Sequence, residues 1–151
     1  MSETWQVKTF EQLSLNELYD CLKLRIDVFV VEQTCYYPDL DDLDRHPSTL
    51  HVFKYIDGKL AAYLRILPKG TTYDDYVSIG RVIIAPAFRG QALGHDIIKL
   101  ALEETKNKFP HQPIKISAQQ HLESFYQQHG FETCTDMYLE DGIEHIGMKL
   151  T

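Results

Sequence analysis

The sequence has few of the residues that build metal and redox centres. Only three cysteines occur in 151 residues and none form a Cys-x-x-Cys pair, which excludes zinc ribbons and thioredoxin-like redox sites. The seven histidines show neither His-x-His nor His-Glu-x-x-His, the spacing that places two zinc ligands on one face of a helix. We therefore expect no bound metal.

Long apolar runs are also missing. No segment approaches the roughly eighteen apolar residues that a transmembrane helix needs, and the first residues lack the basic-then-apolar pattern of a signal peptide. These absences predict a cytoplasmic protein with no membrane partner.

Positive charge is scarce. The sequence contains 15 Lys and Arg residues against 22 Asp and Glu residues, a formal net charge of −7. Nucleic-acid binders gain affinity by neutralising phosphates, so this balance argues against a nucleic-acid partner. Any polyanionic ligand must instead be held by local geometry. With 44% hydrophobic and 25% charged residues, the composition is that of a globular protein, and the length predicts one domain over residues 1–151.

Hydrophobic periodicity predicts elements in the order β-α-β-β-β-α-β-α-β-β. Ser14 and Glu17 form a capping-box pattern at the start of the first helix, and Asp57-Gly58 and Asp141-Gly142 are turns typical of hairpins. The order favours an α/β or α+β fold, a mixed sheet with helices on both faces. The predicted strands are 5–10, 50–56, 59–67, 77–85, 114–116, 133–139 and 144–150, and the predicted helices are 15–30, 89–108 and 121–129.

Residues 82–94 are the most informative segment. A buried strand leads into a predicted helix start that contains Arg89, Gly90 and Gly94. Such a start presents unpaired N–H groups and the positive end of the helix dipole to an anion, and glycine lets a phosphate approach the backbone. P-loop and Rossmann patterns are both absent. A helix start whose glycines serve only tight packing is the alternative.

A second motif lies on the last predicted helix, where Tyr126 is followed by Gly130 and Phe131. This spacing, Tyr-x-x-x-Gly-Phe, resembles the GCN5-related N-acetyltransferase (GNAT) family. The family's pyrophosphate loop, Arg/Gln-x-x-Gly-x-Gly/Ala, is matched by residues 89–94, and the order of elements agrees over essentially the whole chain. Residues 25–33 and 141–148 are similar to the small bacterial ElaA-like branch of that family.

The resemblance implies the GNAT fold, a mixed and mostly antiparallel sheet of six to seven strands with helices on both faces. It also implies an enzyme that moves an acetyl group from acetyl-CoA to a primary amine of a small molecule or peptide, by direct attack in a ternary complex. Tyr126 would protonate the leaving thiolate. The cofactor-binding residues that the resemblance implies are Val82, Ile83, Ile84, Arg89, Gly90, Gln91, Ala92, Leu93, Gly94, Gln119 and Tyr126.

Two other functions stay open: a non-catalytic acyl-CoA-binding sensor on the same fold, and a mixed-sheet domain that binds another phosphorylated ligand. Two positions also depart from the family pattern. Ala92 stands where the loop usually has glycine, which is tolerable if its φ stays negative. Gln119 stands where many relatives have an asparagine that contacts the cofactor, and its amide can make the same hydrogen bonds.

The acceptor side is less well defined. The strand at 77–85, where many relatives place a carboxylate base, contains no Asp or Glu. We therefore predict Glu32 as the base, with a pKa raised by partial burial. His51 and His145 are rival bases, and a Glu32 that only anchors a loop is the structural alternative. The predicted substrate-binding residues are Glu32, His51, Arg81 and His145.

Four carboxylates crowd a short loop: Asp39, Asp41, Asp42 and Asp44. Charge runs of this kind are usually solvated, but this one can also form an acidic lip that attracts a cationic amine. Arg65 and Arg81 lie within predicted strands, and we expect them to pair with these carboxylates if they are buried. The sequence leaves a homodimer open.

Overall fold

A computed structural model describes residues 4–151. In this part of the chain, eight strands form a sheet in the order β1-β2-β3-β4-β5-β8-β6, and β7 also pairs with β8. Only β4 and β5 pair in parallel; the other neighbours are antiparallel. The strands are β1 (Gln6–Lys8), β2 (Leu50–Ile56), β3 (Lys59–Leu67), β4 (Val77–Ile84), β5 (Ile114–Gln119), β6 (Glu132–Thr133), β7 (Tyr138–Glu140) and β8 (Ile143–Leu150). The α-helices are α1 (Leu15–Arg25), α2 (Leu93–Lys108) and α3 (Glu123–Gln127).

Both faces of the sheet are covered by helices, as the sequence predicts. On one face, strand residues such as Val52 and Leu64 pack with Ile97 of α2 and Tyr126 of α3. On the other, Phe53, Tyr63 and Ile83 pack with Cys21 of α1 and Val28. Alternation along each strand produces this two-sided core, because neighbouring residues point to opposite faces.

The predicted capping box starts α1. The Glu17 N–H donates to Ser14 Oγ at 3.0 Å, and the Ser14 N–H donates to Glu17 Oε1 at 2.8 Å. The helix does not run on uniformly, however: after Arg25 the chain continues as a π-helix over Ile26–Glu32. π-helical turns are often found at functional sites, and this one ends beside the cavity described below.

The two ends of the sheet differ in how well local signals predict them. The hairpin of β2 and β3 has the predicted boundaries, with Asp57 and Gly58 at φ 51° and 74° in its turn. The strand predicted at 133–139 is instead broken into β6 and β7, which gives eight strands. Between them the Thr135 hydroxyl accepts a hydrogen bond from the Gly147 N–H at 2.8 Å. A side chain has thus replaced a backbone acceptor in the ladder.

Strands β4 and β5 part soon after they meet. They pair only at Val77 with Ile114 and at Ser78 with Lys115. Further along β4, a bulge interrupts the pairing with β3, and Arg81 there has a φ of 54°. The parted strands leave a gap in the middle of the sheet, and this gap positions the candidate site.

Candidate functional site

The gap between β4 and β5 opens into a central cavity of about 670 Å³. Its walls come from β4, β5, α3, the π-helical segment and the turn between β7 and β8. The predicted residues Val82, Ile83 and Ile84 line it. No strand pairs with the cavity edge of residues 79–84 within residues 4–151, because β5 has already diverged. An unpaired edge of this kind offers N–H and C=O groups to an extended ligand.

Most of the predicted anion loop precedes α2: residues 89–92 lie before the helix, and Leu93 and Gly94 are its first two residues. The helix begins at Leu93, and Ala92 precedes it with a φ of 62°. The condition under which alanine is tolerable here, a negative φ, is therefore not met, since the tight turn into the helix places Ala92 in the left-handed region with Gly90, whose φ is 85°. No side chain caps this helix start, so its first N–H groups are free of a side-chain partner.

The loop residues contribute unequally to the cavity. Arg89 and Gly94 line it, Gly90, Gln91 and Ala92 are exposed outside it, and Leu93 is buried. A Cβ on Gly94 would lie 3.4 Å from the Phe125 ring. That distance is an ordinary van der Waals contact, so packing between α2 and α3 does not by itself require a glycine at this position.

Glu32 forms an ion pair with Arg89. The guanidinium donates to both carboxylate oxygens, at 3.0 and 2.7 Å, and Arg89 Nε donates to the Ile84 carbonyl at 3.1 Å. These hydrogen bonds lower the pKa of Glu32. The expected rise in that pKa is wrong, because the side chain is exposed and paired. Instead, Glu32 ties the end of the π-helix to the anion loop.

Tyr126 lies at the wall of the cavity, 6% exposed. Its ring packs edge-on against Phe125 and Phe131, with centroids 5.1 and 5.9 Å away. Its hydroxyl has no hydrogen-bond partner within residues 4–151. Burial raises the pKa of Tyr126 to about 12, so the hydroxyl keeps its proton at neutral pH. Gln119, at the end of β5, also lines the cavity, and its amide reaches Gln33 Oε1 at 3.5 Å.

His145 is the one predicted histidine that reaches the cavity. It stacks on Tyr138, its Nδ1 donates to the Ile143 carbonyl at 2.8 Å, and its Nε2 lies 3.5 Å from Glu140 Oε2. Sequence reasoning missed Glu140, because its place near His145 depends on pairing between β7 and β8.

His51 lies elsewhere, and its prediction as a substrate-binding residue is wrong. It is buried, its Nε2 donates to the Asp44 carbonyl at 3.1 Å, and its Nδ1 accepts from the Tyr63 hydroxyl at 2.7 Å. Both ring nitrogens are therefore used, and the residue does not line the central cavity. Burial lowers the pKa of His51.

The acidic loop does not form a lip. Asp39 and Asp44 are buried, and three of the four carboxylates bind arginines beneath the loop, whereas Asp42 pairs with Arg45 at the exposed surface. Arg81 lines the cavity, as predicted, but its guanidinium is held by Asp39 at 2.9 Å. Arg65 bonds Asp41 and Asp44, at 2.5 and 2.9 Å. The expected pairing of Arg65 and Arg81 with loop carboxylates is thereby confirmed.

A third arginine, Arg25, was not foreseen. It is fully buried and bonds Asp39 at 2.9 Å and Asp44 at 2.6 Å. The sequence carried a signal for it, since Arg25 follows the buried Cys21 by four residues and so lies on the same helix face. We call Arg25, Arg65, Arg81, Asp39, Asp41 and Asp44 the arginine–aspartate network.

Within residues 4–151, no group of three or more His, Cys, Asp or Glu side chains is arranged to hold a metal ion. No helix in this range has the length and apolar character needed to cross a membrane.

Comparisons with known proteins agree with this fold. The model of the acetyltransferase (GNAT) domain matches residues 25–151. Protein ElaA of Escherichia coli (strain K12) is 42% identical over 144 residues, which cover 95% of this chain and 94% of that protein. An acyl-CoA N-acyltransferase from Pseudomonas aeruginosa has a crystal structure with a TM-score of 0.94 at 43% identity, covering 99% of this chain and 100% of the other. The crystal structure of Escherichia coli ElaA has a TM-score of 0.92 at 40% identity, covering 98% and 99%.

Proposed function

The chain belongs to the GNAT acetyltransferase family, and on that premise we propose that it transfers an acetyl group from acetyl-CoA to a primary amine in a ternary complex. One observation carries the proposal. A single cavity is lined by an unpaired strand edge, by Arg89 of the anion loop and by a protonated tyrosine whose hydroxyl has no protein partner.

The residues present suit acetyl-CoA as a co-substrate. The free edge at Val82–Ile84 can pair with an extended amide-containing chain, as an added strand would. The uncapped start of α2 can accept a diphosphate on its first N–H groups. Arg89 adds a cation beside it. This local arrangement answers the constraint set by the net charge of −7, since the anion is held by backbone N–H groups and one arginine.

Three groups of the chain would act on the reaction. A backbone N–H at the free edge of β4 would stabilise the negative charge that develops on the thioester oxygen. The acceptor amine attacks directly, so no side chain forms a covalent bond. Tyr126 would donate its proton toward the leaving sulfur. A thiol has a pKa of about 8.5 and Tyr126 a pKa of about 12, so proton transfer from Tyr126 to the sulfur is uphill on its own. Tyr126 therefore acts first as a hydrogen-bond donor to the sulfur, and the transfer is completed when the attacking nitrogen loses its proton and the phenol is restored.

A ligand screen followed by an activity assay tests the proposal. CoA should stabilise the protein in a thermal-shift experiment and ATP and NAD should not; a ligand at about 100 times its Kd adds roughly 2.7 kcal/mol. Acetyl-CoA with an amine from a panel of polyamines, amino sugars, amino acids and peptides should then release free thiol. Stabilisation by CoA without thiol release would favour an acyl-CoA sensor instead.

The role of Tyr126 has its own test. Tyr126→Phe keeps the ring and removes the proton, so kcat should fall by about 10²-fold or more while the CoA Kd from calorimetry stays the same. Tyr55→Phe is the matched control, because Tyr55 is also buried but lies in the opposite core, where its hydroxyl donates to Asp20. An unchanged kcat in Tyr126→Phe, where chemistry limits turnover, contradicts this role.

A further inference from the structure

The charges that line the central cavity are not balanced. Its three arginines are each held by a carboxylate of the protein: Arg65 by Asp41 and Asp44, Arg81 by Asp39, and Arg89 by Glu32. Glu140 and Asp141 also line the cavity, and neither has a Lys or Arg partner within residues 4–151. The wall formed by the β7–β8 turn therefore carries uncompensated negative charge.

Strand register gathers four polar side chains on this wall. Tyr138 pairs with His145 across β7 and β8, and Glu140 lies two residues after Tyr138, so all three share one face. The Tyr138 hydroxyl lies 2.5 Å from Ser117 Oγ, and Ser117 in turn donates to Glu140 Oε1 at 3.0 Å. The carboxylate is thus held in place from one side, while half of the side chain remains exposed.

His145 presents a lone pair to the same space. Its side chain is 9% exposed, and because Nδ1 donates to the Ile143 carbonyl, the neutral ring carries its proton there. Nε2 makes no hydrogen bond within the described part of the chain. Its charged neighbour is Glu140 Oε2, at 3.5 Å. Two acceptors thus face each other with no donor between them, an arrangement that an ammonium group with its three N–H donors would satisfy.

We propose that Glu140 and His145 form the acceptor subsite of this enzyme and that the acceptor is a cationic amine; this inference rests on the proposed acetyl transfer. Glu140 binds the ammonium, and His145 Nε2, whose lone pair faces the same space, takes one of its protons. Tyr138 and Ser117 are positioning residues that hold Glu140.

The proton and bond changes balance without a further reactant. The ammonium gives one proton to His145, which becomes an imidazolium beside Glu140. The nitrogen lone pair then forms the C–N bond as the C–S bond breaks, and Tyr126 gives its proton to the sulfur. The second proton leaves the nitrogen and restores the Tyr126 hydroxyl through water. His145 finally releases its proton to solvent, so one H⁺ is produced for each amide formed.

Two acceptor amines, one cationic and one uncharged, distinguish this catalytic role of His145 from a structural one. Spermidine is cationic at neutral pH, whereas trifluoroethylamine is uncharged and needs no initial deprotonation. With spermidine at pH 7, His145→Gln should lower kcat by about 10²-fold, and the loss should shrink as pH rises and free amine accumulates. With trifluoroethylamine the same variant should retain most of its rate. Glu140→Gln should raise the KM for spermidine by about tenfold, as expected for one lost charged hydrogen bond, and leave the KM for acetyl-CoA unchanged.

Matched controls remove the same groups elsewhere. His111→Gln changes an exposed histidine outside the cavity, and Glu144→Gln removes a carboxylate from the same hairpin that does not line the cavity. Both should behave as wild type. Glu140 is half exposed, so Glu140→Gln remains informative if His145→Gln fails to fold. Two titratable groups of β7, Glu140 and Tyr138, face His145. Tyr73 lies near both of them: burial, and then the neighbouring Tyr138 and Glu140, raise the pKa of Tyr73 to about 12.

The outcomes separate this inference from the proposed function. Equal losses in His145→Gln with both amines at every pH would show a structural ion pair and overturn the inference, as would an unchanged spermidine KM in Glu140→Gln. Wild-type protein that acetylates only uncharged or acidic amines would overturn the inference and leave the proposed function standing. Wild-type protein that binds CoA but releases no thiol with any amine would overturn both.

Discussion

Two residues that border the site, Arg81 and Ala92, hold left-handed backbone conformations that favour glycine, with φ values of 54° and 62°. Such conformations cost about 1–3 kcal/mol each and persist where surrounding contacts fix them. For Arg81 those contacts are visible, since Asp39 accepts two hydrogen bonds from its guanidinium. Ala92 has only a methyl group and is exposed, so its strain is the one that a substitution can release.

Ala92→Gly should therefore stabilise the protein. Relief of the left-handed alanine gains about 1–2 kcal/mol, and the extra freedom of glycine in the unfolded chain removes roughly 0.4–1 kcal/mol of that gain. Urea unfolding should show a net rise of about 0.5–1 kcal/mol. Ala87→Gly, an exposed alanine without a positive φ in the preceding turn, should instead lose stability. A loss in both variants would mean that the loop does not strain Ala92.

Glu32 leads to a prediction about affinity rather than about proton transfer. Because its carboxylate engages Arg89 and adds negative charge beside the anion loop, Glu32→Gln should tighten CoA binding. We expect a Kd about two- to fivefold lower in calorimetry at low salt, the scale of one exposed charge pair, and a smaller difference at high salt. Glu11→Gln removes an exposed carboxylate elsewhere and should have no effect. A strong loss of kcat with unchanged CoA affinity would instead restore Glu32 as a base.

At the scale of elements, the loop between the π-helix and β2 depends on a buried charge network. Asp39 and Asp44 each bond two arginines, so the loop is fixed to α1, β3 and β4 together. This fixing places Cys35 and Tyr37 at the cavity wall. Buried charges of this kind are costly when one partner is lost, because the other is left unpaired.

Arg25→Met tests that dependence. It removes the guanidinium that Asp39 and Asp44 share on the α1 side, so the free energy of unfolding should fall by about 3–5 kcal/mol. Arg45→Met is the matched control, because Arg45 lies in the same loop and pairs with Asp42 at the exposed surface; it should cost less than about 1 kcal/mol. Urea unfolding measures both. Equal small losses would show that the network does not hold the loop.

The elements that the sequence predicted well are those fixed by neighbours in the chain. Asp57-Gly58 sets a hairpin because both residues favour positive φ, and Ser14 with Glu17 caps α1 within one turn. The misses depend on distant partners. The break at residues 134–137 depends on a hydrogen bond from β8, in which the Gly147 N–H donates to the Thr135 hydroxyl.

The residues of the candidate site also fall into two groups, those predicted from local spacing and those placed by distant contacts. The spacing around the anion loop and Tyr126 is a property of consecutive residues, and Val82, Arg89, Gly94 and Tyr126 do line one cavity. Glu140 and Arg25 owe their places to contacts with residues that the spacing does not reveal. His51 shows the same limit, because a histidine in a strand can face a cavity or a buried loop, and only the packing of residues 33–47 decides which.

For the whole molecule, the buried polar groups determine how stability depends on pH. Hydrogen bonds from arginines hold the pKa values of Asp41 and Asp44 below their usual 3.8, although burial alone would raise them. The unfolded chain therefore binds more protons below that pH than the folded chain does. The contribution of Asp41 and Asp44 to stability is fully present above about pH 4 and is lost as pH drops further. A second loss should begin near neutrality, and it comes from histidine.

His51 is the group that should start this earlier loss. Burial lowers its pKa, and its neutral form is fully bonded, since Nε2 donates to the Asp44 carbonyl and Nδ1 accepts from Tyr63. A proton on Nδ1 would turn that acceptor into a second donor facing a hydroxyl. As pH falls below about 6.5, His51 binds a proton in the unfolded chain but not in the folded one. The free energy of unfolding therefore falls by up to about 1.4 kcal/mol per pH unit. His129, whose pKa is also lowered by burial, adds to the loss.

His51→Gln isolates this contribution, because an amide can donate to the Asp44 carbonyl and accept from Tyr63 without titrating. Urea unfolding between pH 7.5 and about 5, where wild-type stability should decline, should show a clearly shallower slope in the variant. His111→Gln, which replaces an exposed histidine, should keep the wild-type slope. Below about pH 4 both variants should lose stability as wild type does, because Asp41 and Asp44 are intact. If His51→Gln keeps the full slope above pH 5, the proton is taken up elsewhere and buried His51 does not set the pH dependence.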